Sequence, residues 1–281
     1  MDGAAGSSWT ARTADQRQII GQNRKNCHRM LPCEGSNPIQ PTIRLYWEDD
    51  HCFETEARVV GLEDTAIAFD RTCFYPGGGG QPSDTGTIAL SDGQVLEVAA
   101  ARVGADQVVW HFINGPVADC IAGESARLSV NRERRVALAR HHTVLHVLNT
   151  IALRYYSAWI TGVQIGEDYS RIDFKWEGYS PSVCRELENK VNTVLEGNHS
   201  LKSYYIPEDE FNKRQDLLRT LEVKPPVIGG RVRVVEIVGF DAQACGGTHA
   251  GSTGELGRFS IFRTENKGKI NKRLYIRLDA V

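Results

Sequence analysis

The chain has 281 residues, of which 41% are hydrophobic and 24% charged, values typical of a globular protein with a buried core. Its formal net charge of −2 argues against a protein that coats nucleic acid through overall charge, although a local basic face stays open. No apolar run approaches the ~18 residues that a membrane span needs. The sequence also shows no positively charged segment followed by an apolar segment of the kind that marks a secretory signal. We therefore expect no membrane partner.

The cysteines point to a reducing compartment. There are seven, an odd number, and they are scattered along a chain that is not small. Such usage is typical of buried or free thiols rather than a disulfide framework. We predict a cytoplasmic location.

Residues 1–41 show no sustained period of a helix or a strand and are rich in Gly, Ser, Asn, Gln and Arg. This composition predicts a disordered or loosely attached extension. A fusion remnant or an overextended start is an alternative. An organellar address is another, although Asp2, Asp15 and Glu34 weaken it.

Residues 42–130 carry short strand-like segments separated by turn formers such as Ser91-Asp92-Gly93 and Asn114-Gly115-Pro116. Strands at this spacing without intervening helices predict a small antiparallel β-barrel domain. The predicted strands are "TIRLYWE", "EARVVGLE", "TAIAFD", "TGTIAL", "QVLEVAAARV", "QVVWHFI" and "ARLSV".

A glycine-rich motif interrupts this region at residues 73–86, "CFYPGGGGQPSDTG". Its four consecutive glycines permit positive φ angles and a close approach of the backbone to another surface. Taken alone, the motif is most simply interpreted as a long flexible loop.

Residues 131–281 mix helices and strands without regular βαβ repetition, which predicts an α+β domain. Apolar residues at helical spacing predict a long helix with Asn131 as its N-cap. A second helix is predicted over residues 181–197, and a short third one from Pro207 to about residue 220. The predicted strands are "TGVQIG", "YSRIDFKWE", "LKSYYIP", "RVRVVEIVGF", "GRFSIFRTE" and "RLYIRLDA".

Two pairs of soft metal ligands stand out. His142 and His146 are four residues apart on the long helix, so they share one face about 6 Å apart along its axis. Cys245 and His249 flank a short spacer with two glycines. Each pair alone is weak evidence for a metal site. Two histidines on a helix, for example, are more often ordinary surface or core residues. Together they favour a zinc site, with His141 rotated away as a neighbour only.

The type of zinc site stays open at this stage. A metalloprotease of the HExxH type needs a Glu after the first His, and here that position is Thr143. Four protein ligands resemble a closed structural site, whereas catalytic zinc usually keeps one open position. The zinc is therefore either structural, or one ligand yields to water or substrate.

The segments "HHTVLH" (141–146) and "ACGGTH" (244–249) resemble the editing domain of alanyl-tRNA synthetase and its freestanding relatives, the alanyl-tRNA editing proteins called AlaX. The segments "FYPGGGGQPSDTG", "TGVQIGEDYSRIDF", "GSTGELGRF" and "NKGKINKRLYI" fall in the family's order. The resemblance covers residues 42–281, and the length is similar to the family's medium form. It implies a β-barrel domain over 42–130, followed by a zinc-containing editing domain over 131–281.

The resemblance also implies roles for single residues. Thr161 and Gln164 would line the amino-acid pocket, and Gln164 and Asp173 are candidates for orienting a water. Two departures from the family pattern are Gly77, where relatives often have Thr, and Ile270, where a further Gly is common. The other implied residues are the zinc ligands His142, His146, Cys245 and His249, the site-bordering Arg171, and a basic glycine loop of Lys267, Gly268 and Lys269.

The implied activity is hydrolysis of the ester that joins a wrong amino acid to the acceptor end of tRNA(Ala). A synthetase pocket for alanine cannot strongly reject glycine, since one missing methyl is worth only about 1–3 kcal/mol, and serine is similarly hard to exclude. The sequence leaves the preference between Ser-tRNA(Ala) and Gly-tRNA(Ala) open. Lys267, Lys269 and Arg273 would bind tRNA phosphates, unless they are merely the solvated face of two strands.

Two alternatives to this function remain. One is a zinc-stabilised RNA-binding module without catalysis, in which the glycine-rich motif is scaffold. The other is a zinc hydrolase of a small ester or amide, which would not require the basic C-terminal strands.

Overall fold

The computed structural model describes residues 38–280 except residues 105, 118–120, 220–224 and 269. The predicted N-terminal extension therefore lies outside the described residues except for its last four positions, and so does Lys269. Within the described part of the chain, Cys52, Cys73, Cys184 and Cys245 are free thiols. No helix in that part is long and apolar enough to span a membrane.

Six antiparallel strands close into a barrel, as the sequence predicts for this region. The barrel order is β2-β3-β7-β6-β5-β8, and its interior is filled by alternate residues of each strand, including Val59, Ile67 and Leu128. The strands before the first long helix are β1 (Ile43–Arg44), β2 (Glu54–Glu63), β3 (Ala66–Phe69), β4 (Arg71–Thr72), β5 (Gly86–Leu90), β6 (Val95–Val103), β7 (Val109–Ile113) and β8 (Ser125–Val130).

The predicted strand "TIRLYWE" is wrong over most of its length. Only the two residues of β1 are extended, and a 3₁₀ turn follows at Leu45–Trp47. The turn lets Tyr46 bury its ring almost completely, and it lets Trp47 Nε1 donate to the carbonyl of Gly246, 2.9 Å away. Packing against a distant segment therefore overrides the strand propensity of these residues.

The remaining elements form an α+β layer structure. One antiparallel sheet has the order β15-β16-β10-β9, and a second has β11-β13-β12 with β14 also on β13. The elements are α1 (Arg132–Tyr156), β9 (Trp159–Gln164), β10 (Ser170–Lys175), α2 (Pro181–Glu196), β11 (Leu201–Pro207), α3 (Glu208–Phe211), β12 (Val227–Ile228), β13 (Arg231–Ile237), β14 (Asp241–Ala244), β15 (Phe259–Asn266) and β16 (Asn271–Leu278).

Helix α1 lies at the centre of this part and is buried along most of its length. Its N-cap is Asn131, whose side chain accepts a hydrogen bond from the backbone N–H of Arg134 at 3.1 Å. Apolar residues of α1 and α2, such as Leu148 and Leu187, pack with Phe174 and Ile276 on the inner face of the β15-β16-β10-β9 sheet. The predicted ligand pair on α1, His142 and His146, therefore lies on a helix that is held by the main core.

The predicted third helix is too long. Helix α3 spans only four residues, and a separate 3₁₀ turn follows at Gln215–Leu217. Phe211 and Leu217 both belong to a small core with Val232. Residues six apart on one α-helix point about 120° away from each other, so a break is needed for both side chains to reach the same core.

The glycine-rich motif is a packed loop rather than a flexible one. The φ angles of Gly77 and Gly80 are 83° and 86°, which a residue with a Cβ rarely adopts. A Cβ on Gly80 would lie 2.6 Å from the carbonyl oxygen of Val163 in β9, so only glycine permits this approach. The next residue, Gln81, is 2% exposed.

Residues Ile39–Val281 form one compact unit. A division of this unit at residue 131, into a barrel domain and an editing domain, remains our proposal.

A candidate metal centre between helix α1 and the loop after strand β14

Four side chains converge on one point at the surface of α1. The helix presents His142 and His146 one turn apart, and β14 delivers Cys245 and His249 from the loop that begins directly after Ala244. The potential ligand atoms of the four residues all lie within 4.8 Å of one another. The sequence-predicted ligand set is thus brought together in full, and His141 is not part of it.

The spacing of the ligand atoms fits a tetrahedral ion. Cys245 Sγ lies 3.4 Å from His142 Nε2 and 3.4 Å from His249 Nε2. A tetrahedral Zn²⁺ with bonds of about 2.3 Å to sulfur and 2.0–2.1 Å to nitrogen separates the two atoms by about 3.5 Å. Three imidazoles and one thiolate are also a donor set that zinc prefers.

Burial sets the protonation of these groups. It lowers the pKa of His146 to about 3, and it lowers the pKa values of His142 and His249 well below their usual range, so all three imidazoles are neutral. Burial also raises the pKa of the Cys245 thiol to about 11. A divalent cation reverses this last effect, because it binds the thiolate and displaces the proton.

Two polar neighbours fix the tautomers of the metal-facing histidines. His142 Nδ1 donates to Gln81 Oε1 at 2.8 Å, which leaves Nε2 facing Cys245. His249 Nδ1 donates to Thr143 Oγ1 at 3.1 Å, while that hydroxyl donates to a helix carbonyl at 2.8 Å. Such outer partners orient metal-ligating imidazoles. Thr143, which excludes the metalloprotease mechanism, thus has a positioning role that the spacing did not predict.

The glycine spacer between the two loop ligands is needed for steric reasons. A Cβ on Gly247 would lie 2.6 Å from His142 Nδ1 and 2.8 Å from Gln81 Oε1. A Cβ on Gly246 would lie 2.8 Å from the ring of Pro226. The backbone between Cys245 and His249 therefore passes directly over the imidazole of His142.

A buried ion pair holds this loop from the other side. Arg233, which is 3% exposed, donates to the carbonyl of Gly247 at 2.8 Å and to Asp50 Oδ2 at 2.7 Å. Asp50 Oδ1 accepts from the backbone N–H of His249 at 3.0 Å. Burial raises the pKa of the Asp50 carboxyl, and Arg233 opposes that change. Neither residue was singled out in the sequence, because their 183-residue separation leaves no local pattern.

The other predicted site residues lie on the outer face of the β15-β16-β10-β9 sheet. Thr161 and Gln164 are exposed on β9, and Gln164 Oε1 accepts from Arg171 Nε at 2.7 Å. Asp173 on β10 lies opposite Arg273 on β16, and the two form a bidentate ion pair with both distances at 2.6 Å. Their described partners are these neighbours rather than the four-residue cluster.

Two of the predicted phosphate-binding cations have carboxylate partners. Lys267 lies 3.2 Å from Glu265, and Arg273 is paired with Asp173. Lys269 lies outside the described residues. Phosphate binding by these three residues therefore stays a prediction.

The β9 strand nevertheless borders the metal cluster through the glycine-rich loop. The backbone N–H of Ile165 donates to the carbonyl of Gly80 at 2.8 Å, and the next residue of that loop, Gln81, binds His142. The end of β9 is thus joined to the cluster through the glycine-rich loop.

Comparisons with known proteins identify two family models in the chain. The model for the "Threonyl and Alanyl tRNA synthetase second additional domain" matches residues 232–275, and that for "tRNA synthetases class II (A)" matches residues 43–134. The chain is also 38% identical to the alanine–tRNA ligase of Korarchaeum cryptofilum, over 79% of this chain but only 25% of the ligase. It therefore spans about a quarter of that relative.

Two relatives are covered almost completely. The chain is 34% identical to the alanyl-tRNA editing protein AlaX-M of Saccharolobus solfataricus and 36% identical to that of Methanosarcina acetivorans. In both cases the match takes in 83% of this chain and 98% of the relative. Since the similarity extends over nearly the whole length of these proteins, the chain belongs to the family of freestanding alanyl-tRNA editing proteins of the AlaX-M type.

Proposed function

We propose that this protein deacylates mischarged tRNA(Ala) in trans, with Ser-tRNA(Ala) and Gly-tRNA(Ala) as substrates and one Zn²⁺ at the four-residue cluster. The observation that carries the proposal is the cluster itself, with Cys245 Sγ 3.4 Å from two imidazole nitrogens, in a member of an editing family. Family membership makes the protein an aminoacyl-tRNA deacylase. The metal and the rejected amino acids are the proposed part.

The proposed zinc would be held by His142, His146, Cys245 and His249. When bound, zinc would supply a Lewis acid that polarises the ester carbonyl or holds the amino group or hydroxyl of the substrate, once one of the four ligands yields its position or the ion takes a fifth ligand. The protein's own contribution is to keep the imidazoles neutral through burial and to orient two of them through Gln81 and Thr143.

Gln164 is the proposed group for binding the aminoacyl ester or orienting the attacking water. Its Oε1 accepts from Arg171, and among the described residues its amide Nε2 has no acceptor, so this group can donate from the exposed end of β9. Asp173 is a weaker candidate, because both of its carboxylate oxygens already accept from Arg273. Thr161 lies exposed on the same strand and completes the proposed amino-acid pocket.

The proposed partner is the acceptor end of tRNA(Ala), with Lys267, Lys269 and Arg273 as phosphate contacts. Their substitution by neutral residues is expected to weaken binding and to flatten its salt dependence, by roughly 0.7–0.9 log–log units per contact. The measurement is tRNA binding over a range of salt concentrations.

The test of the function is a deacylation assay with Ser-tRNA(Ala), Gly-tRNA(Ala) and Ala-tRNA(Ala). We expect the first two to be hydrolysed and the correctly charged tRNA to be spared. Cys245→Ala should abolish hydrolysis and lower the zinc content from about one ion per chain, because it removes the only anionic ligand. The matched control is Cys184→Ala, which removes a half-buried thiol outside the cluster.

Circular dichroism and thermal melting accompany the assay, because loss of the metal can also loosen the fold. A folded Cys245→Ala protein that hydrolyses Ser-tRNA(Ala) at the wild-type rate would exclude a role for the cluster in catalysis. Failure of the wild-type protein to hydrolyse either mischarged tRNA would refute the proposed substrates.

A further inference from the structure

Three aromatic rings form a cluster on the outer face of the β15-β16-β10-β9 sheet. Tyr169 precedes β10, Phe262 lies on β15 and Tyr275 on β16. Their ring centroids are 6.0–6.3 Å apart in all three pairs. Tyr169 and Phe262 are 52% and 45% exposed, although burying such rings normally stabilises a fold. The core of the protein does not account for these three rings, which we call the aromatic cluster.

A β-bulge in β15 positions one ring of the aromatic cluster, that of Phe262. The pairing of β15 with β16 shifts register between Ile261 and Arg263, so that Phe262 is the extra residue. Phe262 and Arg263 are both exposed, whereas strict alternation would turn one of two consecutive side chains inward. The irregular strand thus adds an aromatic ring to a face that already carries Tyr275.

Guanidinium groups lie over the same rings. Arg263 is 4.9 Å from the ring centroid of Tyr275, and Arg277 is 5.6 Å from that of Phe262. Among the described residues, Arg277 has no carboxylate within ion-pair distance. Four arginines (171, 263, 273 and 277) face two carboxylates (173 and 265) here, so the face is positively charged.

We propose that the aromatic cluster is a stacking platform for the unpaired 3′ end of tRNA. Unpaired RNA bases stack on exposed aromatic rings and arginine planes of antiparallel sheets, while cations beside them hold the phosphates. This face combines both elements. The inference rests on the proposed function for its choice of tRNA as the partner. It adds the surface on which the unpaired 3′ end of the tRNA lies.

The dimensions and position of the face agree with this partner. Gln164, Arg171, Tyr275 and Arg263 are register neighbours on four adjacent strands. At a strand spacing of about 4.8 Å this row is roughly 14 Å long. That length corresponds to about four rises of ~3.4 Å between stacked nucleotides, enough for a run of four unpaired bases. The row ends at β9, which touches the glycine-rich loop beside the metal cluster. An RNA 3′ end that lies along this row would therefore bring its terminal aminoacyl ester toward that cluster.

The test uses uncharged tRNA(Ala) with its complete 3′ end and the same RNA without its unpaired 3′ nucleotides. Binding is measured by fluorescence anisotropy for the zinc-loaded protein and for Tyr169→Ala and Phe262→Ala. Each lost base stack is expected to weaken binding of the complete tRNA about 5-fold or more, with no effect on the shortened RNA. The matched control is Tyr155→Ala, which removes a 62% exposed tyrosine of α1 outside the face.

Phe262→Leu serves as a second variant, since it keeps apolar volume on the bulge but removes the ring. It should weaken binding of the complete tRNA in the same way. Equal affinities of wild type and folded variants for the complete tRNA would overturn the proposal, and so would an equal loss for both RNAs. Self-association of the wild type that disappears in the variants, without a change in RNA affinity, would assign the face to a protein contact instead.

This experiment fails or succeeds separately from the deacylation assay. Binding of uncharged tRNA requires no hydrolysis, so a protein that does not deacylate can still show dependence on the 3′ end. Conversely, if the protein deacylates mischarged tRNA but binds both RNAs equally well, the proposed function holds and the proposed stacking platform is refuted.

Discussion

The hydrogen bond from His142 to Gln81 leads to a specific prediction about metal affinity. Gln81 lies 61 residues before His142, is almost fully buried, and accepts from His142 Nδ1 at 2.8 Å and from the backbone N–H of Thr248 at 3.2 Å. Gln81→Leu keeps the volume but removes the acceptor. Both donors then lose their partner in a place where water has little room.

The expected magnitude follows from these two bonds. A buried donor without an acceptor costs about 1–3 kcal/mol. The Thr248 donor is unpaired with or without the metal, so it lowers the stability of the fold in both states. Only the His142 bond fixes the imidazole for the ion, and loss of such an outer partner lowers metal affinity about 10- to 100-fold, or ~1.4–2.7 kcal/mol.

The assay is competition for zinc with a chromophoric chelator, with thermal melting to establish that the variants are folded. Gln81→Glu retains an acceptor for both donors and places a carboxylate beside the imidazole, so its zinc affinity should not fall below that of the wild type. Gln94→Leu replaces an exposed glutamine of the barrel and should have no effect. If folded Gln81→Leu binds zinc as tightly as the wild type, the reasoning that Gln81 orients His142 is wrong.

The remaining predictions concern three buried positions. Gly247→Ala places a Cβ against the ring of His142 and should lower zinc affinity by about 100-fold in the same competition assay. Thr143→Val removes the acceptor of His249 Nδ1 and should lower zinc affinity about 10-fold, whereas an unchanged value would show that the hydroxyl is dispensable. Burial lowers the pKa of His111 in the barrel core to about 4, so the unfolded chain takes up its proton first and stability falls as the pH drops below ~6.5. Between about pH 7.5 and pH 5, the unfolding free energy of the wild type should therefore fall by about 2 kcal/mol more than that of His111→Gln, as measured by urea unfolding of both proteins.

The four residues of the candidate metal cluster could be picked out from the sequence because their signals are local. Two histidines at i and i+4 share a helix face, and Cys245 and His249 are joined by three residues, so each pair is visible without the fold. The barrel was similarly visible, since turn formers recur between its strands. Both predictions depend only on neighbours along the chain.

The partners that orient these ligands could not be predicted in the same way. The contact of Gln81 with His142 and that of Asp50 with Arg233 join distant segments, and nothing in either local sequence marks them. The flexible-loop interpretation of the glycine-rich motif failed for this reason. Its packing surface is Val163, which lies on another element.

Strand register caused a second kind of gap. Asp173 and Arg273 were assigned separate roles, one toward water and one toward phosphate, because they are 100 residues apart. The antiparallel pairing of β10 with β16 places them directly opposite each other, where opposite charges form an ion pair. A period-2 pattern shows which face a residue occupies, but it does not show which residue of the next strand lies beside it.

The barrel region contributes directly to the metal centre, because its glycine-rich loop carries Gln81, the partner of His142. Helix α1 holds this loop in place. Arg135 of that helix is 1% exposed and donates through Nε to both carboxylate oxygens of Asp84 at 3.0 Å. Its Nη2 also donates to the carbonyl of Cys73 at 2.6 Å, so both ends of the glycine-rich motif are bound to one guanidinium. Removing one partner of such a buried pair costs about 3–5 kcal/mol, since the other charge stays buried. A chain shortened to begin at residue 131 would lose Asp84 and Gln81 together, which would leave Arg135 without its carboxylate and His142 without its acceptor. The metal centre therefore depends on both sides of the proposed domain boundary.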